Sequence, residues 1–129
     1  MDSLFAGQVW VGRILSGIAV AFLLFDAAGK LLRVAPVIEG TVALGYRDAA
    51  VFPIGVMLLV GVVLYVMPQT AVLGAIYLAA YLGGAVASHY RLENPLMTHV
   101  LFPVYVAAFL WCGLALRNPK LLSLLIGGK

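Results

Sequence analysis

The chain has 129 residues, of which 64% are hydrophobic and 10% charged, with a formal net charge of +3 and a mean hydropathy of +1.11. Soluble domains average about 45–50% apolar and about 25% charged residues, so this chain has too little polar surface to cover a water-soluble globule. Soluble enzymes, nucleic-acid-binding modules and disordered proteins are excluded, and one small integral membrane domain over residues 1–129 fits the length.

A spanning helix needs about 20 mostly apolar residues, and four stretches qualify. The first covers about 9–28 and carries Arg13 and Asp26 near its ends. The second covers 49–67, with Pro53 in its first turn and Pro68 just beyond it. The third covers 70–89 and the fourth 97–116. Continuous runs such as VMLLVGVVLYV argue against the alternating segments of a membrane β-barrel. The expected fold is therefore all-α, a four-helix transmembrane bundle.

The connection of the second and third spans, from Met67 to Thr70, is so short that those helices must be antiparallel neighbours. The first connection is longer. Pro36 suits the start of a helix and Gly45 its end, and Val37, Ile38, Thr41, Val42 and Leu44 give the piece between them an apolar side. A short interfacial helix between spans 1 and 2 is expected there. Pro103 leaves two alternatives for the fourth span. Either it kinks the helix by removing the bond to the carbonyl of His99, or the helix starts near Val100 and Pro103 sits in its first turn.

Lipid removes the hydrophobic drive between helices, so close backbone approach must hold them together. On the third span Ala71, Ala75, Ala79, Gly83 and Ala87 recur every four residues, and Gly12, Ser16 and Ala19 form a small face on the first. Packing inside one bundle is the favoured reading. A seam with a second copy or a membrane partner through Ala75, Ala79, Gly83 and Ala87 is the alternative. The single cysteine, Cys112, forbids an internal disulfide and is expected to be a small packing residue.

A second stripe on the third span runs through Gly74, Tyr77, Tyr81, Gly84 and Ser88. Tyr65 and Tyr90 fit aromatic-belt positions near the two interfaces. Tyr77 and Tyr81 lie deeper, where a phenol needs a hydrogen-bond partner or a cavity. Interhelical hydrogen bonding is the plainer expectation, and a pocket for a flat apolar ligand such as a quinone is the sharper one.

Ionisable residues within spans are expensive and are candidates for function. Arg13 can snorkel to its interface. Asp26, Lys30 and Arg33 share one helical face at i, i+4 and i+7, as a salt-bridged helix end would. His89 ends the third span, His99 begins the fourth, and Arg91 and Glu93 lie between them, with His89 and Glu93 at i+4 spacing if the helix persists. Asp26, Lys30, Tyr77, Tyr81, His89, Arg91 and His99 are the candidate ligand-binding residues, grouped toward one rim of the bundle. Two histidines without a CxxCH or HExxH pattern do not make a metal or haem site, so no metal is expected and haem is disfavoured.

With four spans the termini share one membrane face. Lys30, Arg33, Arg47 and Arg91 lie on the loop side, and Arg13, Arg117, Lys120 and Lys129 on the terminal side, so the positive-inside count ties. The basic residues just after the last span favour cytoplasmic termini.

The run from Leu64 to Leu121, LYVMPQTAVLGAIYLAAYLGGAVASHYRLENPLMTHVLFPVYVAAFLWCGLALRNPKL, resembles the DoxX-like family of small bacterial membrane proteins. GRILSGIAVAFLLFDAAGKLL is similar to the opening helix of that family. The most specific pieces are the turn from Pro68 to Gly74, the run Tyr81-Leu-Gly-Gly-Ala and the run Leu101-Phe-Pro-Val. The resemblance implies a four-helix bundle in the bacterial inner membrane. The family takes its name from proteins associated with quinone-linked thiosulfate oxidation, and it supplies no accepted catalytic residues. Similar sequences often carry a glutamate seven residues before the tyrosine that is Tyr65 here, where this chain has Leu58. The CxxC of relatives that handle disulfides is also missing. The expected function is an accessory or structural membrane subunit without catalysis of its own; the alternative is a quinone-linked redox protein holding a small apolar ligand between its helices.

Overall fold

The computed structural model describes residues 2–127. Six α-helices follow in order: α1 (Asp2–Leu31), α2 (Ala35–Ala43), α3 (Val51–Val66), α4 (Ala71–Arg91), α5 (Phe102–Arg117) and α6 (Pro119–Leu125). Short 3-10 turns, Asp48–Ala50 and Pro68–Thr70, lead into α3 and α4, and a π-helical segment, Leu96–Val100, precedes α5. Four of these stretches, Leu4–Leu31, Asp48–Val66, Pro68–Arg91 and Leu96–Arg117, are long and apolar enough to cross a bilayer. They overlap the four stretches expected from the sequence, the first beginning earlier, at Leu4, and ending later, at Leu31.

The spanning helices close a ring in which α1 packs on α3 and α5, and α4 packs on α3 and α5. Each gives one fully buried leucine to a common core: Leu23, Leu58, Leu78 and Leu110 are at most 1% exposed. The outer faces are as apolar as the core. Phe25 is 80% exposed, Trp10 60% and Leu73 56%, a coat that only hydrocarbon can cover at no cost. A four-helix membrane bundle results.

Small residues set the closest approaches. A Cβ on Gly12 of α1 would stand 2.6 Å from the carbonyl oxygen of Gly113 on α5, so Gly12, buried Ser16 and Ala19 let these helices touch along their backbones. A Cβ on Gly74 would overlap the backbone of Tyr65, which ties the start of α4 to the end of α3. The ridge on α4 is used only in part. Ala71 and Ala75 are buried, Ala79 is half-buried, and Gly83 and Ala87 are exposed with open space around Gly83.

Both long helices that end on the loop side stop with a non-glycine residue in the left-handed region. Arg33 (φ 55) and Glu93 (φ 57) each close a Schellman-type turn, with Val34 N–H donating to Gly29 O and Asn94 N–H to His89 O. Two expected helical pairings are lost as a result. Arg33 leaves the face of Asp26 and Lys30 and reaches Asp48 instead, through both its backbone carbonyl and its carboxylate. Glu93 lies beyond the end of α4, so its i+4 relation to His89 does not form.

The short helix between spans 1 and 2 is present as α2, with Pro36 in its first turn and Gly45 (φ 97) just past its end. Pro103 sits in the first turn of α5, so of the two alternatives the fourth α-helix starts late, at Phe102. The π-helical turn before it restores the length needed to span. Two expectations fail. Cys112 is exposed on the outer face rather than packed. Tyr65 is not an aromatic-belt residue: it is 3% exposed because its hydroxyl finds partners on α1 and α5. The terminal helix α6 had not been read from the sequence, although Asn118 followed by Pro119 carries its signal. The Asn118 side chain accepts from Leu121 N–H at 3.2 Å, an ordinary N-cap.

Candidate functional site

The close contacts of α3 shift along its length. At its start Gly55 fits against Lys30 and Leu31 of α1, and farther along Gly61 fits against Tyr77 and Leu78 of α4. Where α3 and α4 have parted, toward the loop side, a cavity of about 730 Å³ remains between the helices. That size is within the range of ligand pockets, roughly 300–1,000 Å³.

Helical spacing places its walls. Phe22, Asp26 and Lys30 at steps of four give the α1 wall, and Tyr77, Tyr81, Gly84 and Ser88 give the α4 wall, with Ala80, Ala85 and His89 beside them. Ile54 and Met57 come from α3, and Phe102, Pro103 and Val106 from α5. Val37, Gly40, Thr41 and Leu44 place one side of α2 across the cavity. The short interfacial helix is thus also a cover. From Tyr77 to Ser88 the stripe of small and tyrosyl residues on the third span therefore faces a cavity, while Gly74 packs against Tyr65.

Most of the lining is hydrocarbon, and its polar groups are few and specific. Lys30 Nζ and Asp26 Oδ1 form an ion pair at 2.5 Å, as expected of this helix end, but the pair also faces the cavity. Removing two charges from water is costly unless attraction and further hydrogen bonds compensate. The phenol groups of Tyr77 and Tyr81 are not the interhelical bond-makers expected. Among the described residues Tyr65 makes such a bond, donating to Leu110 O at 2.6 Å, while Tyr46, in the connection after α2, meets Ser88 Oγ of α4 at 2.8 Å. Ser88 donates its own proton to Gly84 O, so Tyr46 is the donor in that bond.

His89 is the last candidate in the wall. Its Nδ1 lies 2.9 Å from the Asn94 amide nitrogen; with that amide donating, a neutral ring carries its proton on Nε2. His99 stacks edge-on against it, ring centres 5.7 Å apart, and bonds to Thr98. His99 does not line the cavity. Neither does Arg91, whose guanidinium donates to Leu44 O at 3.0 Å and so fastens the end of α2 to the end of α4. The structure brings Asp26, Lys30, Tyr77, Tyr81 and His89 around one space, and leaves Arg91 and His99 outside it. Among the described residues no three His, Cys, Asp or Glu side chains are grouped as metal ligands.

Sequence reasoning missed the aromatic and α2 walls. Phe22 and Phe102 meet edge to face, with ring centres 5.1 Å apart. Neither stands out in an apolar run, and which side of α2 faces inward depends on its packing against α1, where Val37 meets Gly29, and on the bonds of Arg91 and Tyr46 just past its end.

No curated protein and no solved structure matches the chain. The sequence model described as the DoxX-like family matches residues 14–113, a stretch that runs from the first span through most of the fourth and includes Asp26, Tyr77, Tyr81 and His89. A match over more than half of the chain decides the matter: the chain belongs to the DoxX-like family.

Proposed function

We propose that this small membrane protein binds a lipophilic ring compound of the quinone class within its bundle, and serves a redox-linked membrane system as a binding subunit without covalent chemistry of its own. One observation carries the reading. The cavity is apolar over most of its wall but gathers Lys30, Tyr77 and Tyr81, three donors suited to ring carbonyls. A flat head with acceptor oxygens satisfies them, whereas plain hydrocarbon leaves the Asp26–Lys30 pair poorly solvated. His89 supplies a fourth polar group in the same wall.

The test is binding in a lipid environment. Quinone should be found in lipid extracts of the purified protein, and Tyr81→Phe or His89→Ala should weaken binding of an added short-tailed quinone. Loss of one neutral hydrogen bond is worth about 0.5–1.5 kcal/mol, or roughly 2–12-fold in Kd. No quinone in the extracts together with unchanged binding in both variants would sink the proposal.

A second reading, a packing subunit for a second copy or another membrane protein, is supported by the exposed half of the α4 ridge. Gly83 and Ala87 lie on the outer face, with nothing within 4 Å of a Cβ placed on Gly83. Gly83→Leu should then break an oligomer seen in mild detergent; a protein monomeric with and without the substitution removes this reading. We further infer a bacterial inner-membrane location with cytoplasmic termini. Arg117 and Lys120 directly after the last span support that orientation, and cysteine-labelling of the two tails in intact cells checks it.

A further inference from the structure

A second depression, about 200 Å³, lies on the outer side of the bundle between α1 and α5. Ile18, Ala19, Tyr105 and Phe109 line it together with Phe22, Phe102 and Val106, and the last three also line the central cavity. The two spaces are thus neighbours across the edge-to-face pair of Phe22 and Phe102. Of the three shared residues Val106 is buried, whereas Phe22 and Phe102 are 41% and 40% exposed, so these two side chains are the part of the partition with room to change rotamer.

The two spaces differ in character. The cavity holds an ion pair and phenols. The groove has one polar atom among its side chains, the Tyr105 hydroxyl, and that proton is committed to Met97 O at 3.0 Å. Ile18, Tyr105 and Phe109 face outward, so the groove is open to the acyl chains of the bilayer. A chamber with a few polar groups in an apolar wall, next to a dry and laterally open groove, matches an amphiphile with one planar head and one hydrocarbon tail.

We propose that the groove between α1 and α5 holds the tail of the ligand whose head occupies the cavity, and that Phe22 and Phe102 form the side-chain gate through which that ligand passes from the bilayer. The proposal rests on the reading of the cavity as a quinone-class site and adds the form of the ligand and its route. Lipid itself gives a tail no hydrophobic reason to prefer the groove over the bilayer. The tether decides the occupant. A chain joined to a bound head is held beside the groove at high effective concentration, whereas a phospholipid acyl chain must compete for it from bulk lipid.

The experiment is photolabelling of the protein in phosphatidylcholine nanodiscs. One probe is a benzoquinone with a decyl tail and a diazirine at the end of the tail; the other carries the diazirine on the ring. The expected result is tail-probe adducts at Ile18, Tyr105 or Phe109 and ring-probe adducts at Tyr77 or Tyr81, both reduced roughly tenfold by excess unlabelled decyl-quinone. Ile18→Trp, on the outer face, fills the groove and should lower tail adducts at Phe109 to a similar extent while ring adducts persist. Competed ring adducts with tail adducts spread over outward residues such as Val56 and Ile76 would overturn the groove and gate alone. So would tail adducts unaltered by Ile18→Trp, or groove labelling by a diazirine phosphatidylcholine that decyl-quinone does not displace. Absence of competed ring adducts would overturn the cavity reading, and this proposal with it.

Discussion

The hydroxyls of Ser16 on α1 and Tyr65 on α3 lie 2.7 Å apart inside the bundle, and the direction of that bond is determined. Tyr65 has one proton and gives it to Leu110 O on α5. Ser16 must therefore donate to Tyr65, and its oxygen accepts from Arg117 Nη2 at 2.9 Å. Arg117 also donates to Gly113 O at 3.1 Å. A directed string of donors thus links α1, α3 and α5 on the side of the bundle away from the cavity, and the close approach at Gly12 and Gly113 is what brings its members into range.

Tyr65→Phe removes two bonds of this string and leaves the Ser16 proton without an acceptor. Interhelical hydrogen bonds in membrane proteins average about 0.6 kcal/mol each, with a maximum near 1.7, so a loss of about 1–3 kcal/mol is expected. Unfolding by a denaturing detergent titrated into mild micelles measures it. Ligand affinity should stay within about twofold, since Tyr65 does not line the cavity. Stability equal to that of the native protein would show the string to be incidental.

Two glycines of one helix should respond in opposite ways to alanine. At Gly74 the added methyl overlaps the Tyr65 backbone, and backbone cannot yield as a side-chain end can; overpacking of this kind costs about 1–3 kcal/mol. At Gly83 there is nothing within 4 Å, so Gly83→Ala should be neutral or gain up to about 1 kcal/mol from helix propensity. The same unfolding titration compares them. A Gly83→Ala loss as large as that of Gly74→Ala would mean that another chain covers the exposed ridge.

The spans were legible because twenty apolar residues in a row have few other uses, and α2 was legible through Pro36 and Gly45. The turn at Arg33 was not. Its left-handed backbone occurs without a glycine, so a helical i+7 relation to Asp26 was the natural and mistaken extrapolation. Tyr65 was misread for a related reason. Depth along a span suggests an interface, but burial depends on which helix faces it, and that is set by Gly74, Ser16 and Gly113 on three different helices. Among the candidate residues, Tyr77 and Tyr81 were visible as a stripe of helical period. The contributions of Phe22, Phe102 and α2 depend on how elements distant in sequence come together.

Leu58, at the position where the family resemblance implies a glutamate, is fully buried in the core rather than in the cavity wall. Leu58→Glu should therefore not place an acid beside a cavity ligand. A charged acid in the middle of a helix costs about 2.5–3.5 kcal/mol on insertion scales, and here it also loses a packed leucine. Low yield and a lowered midpoint of unfolding are expected, with Leu58→Met nearly native. A stable Leu58→Glu protein with altered ligand binding would show that the core at this position can open.

The attachment of α2 gives the last prediction. Arg91 donates to Leu44 O, and Tyr46 donates to Ser88 on α4, so two bonds hold the α2 end of the chain across the cavity. Gly45 between them has φ +97, and a Cβ there would stand 2.5 Å from the Arg91 guanidinium. Gly45→Ala therefore meets both a backbone penalty of about 1–2 kcal/mol and a displaced Arg91. Arg91→Ala loses only the bond. Both should loosen the cover, raising the dissociation rate of a bound short-tailed quinone, Gly45→Ala the more strongly, while spans and yield stay intact because neither residue enters the core. Stopped-flow displacement in nanodiscs measures the rate. Equal rates in all three proteins would mean that α2 does not help to retain the ligand.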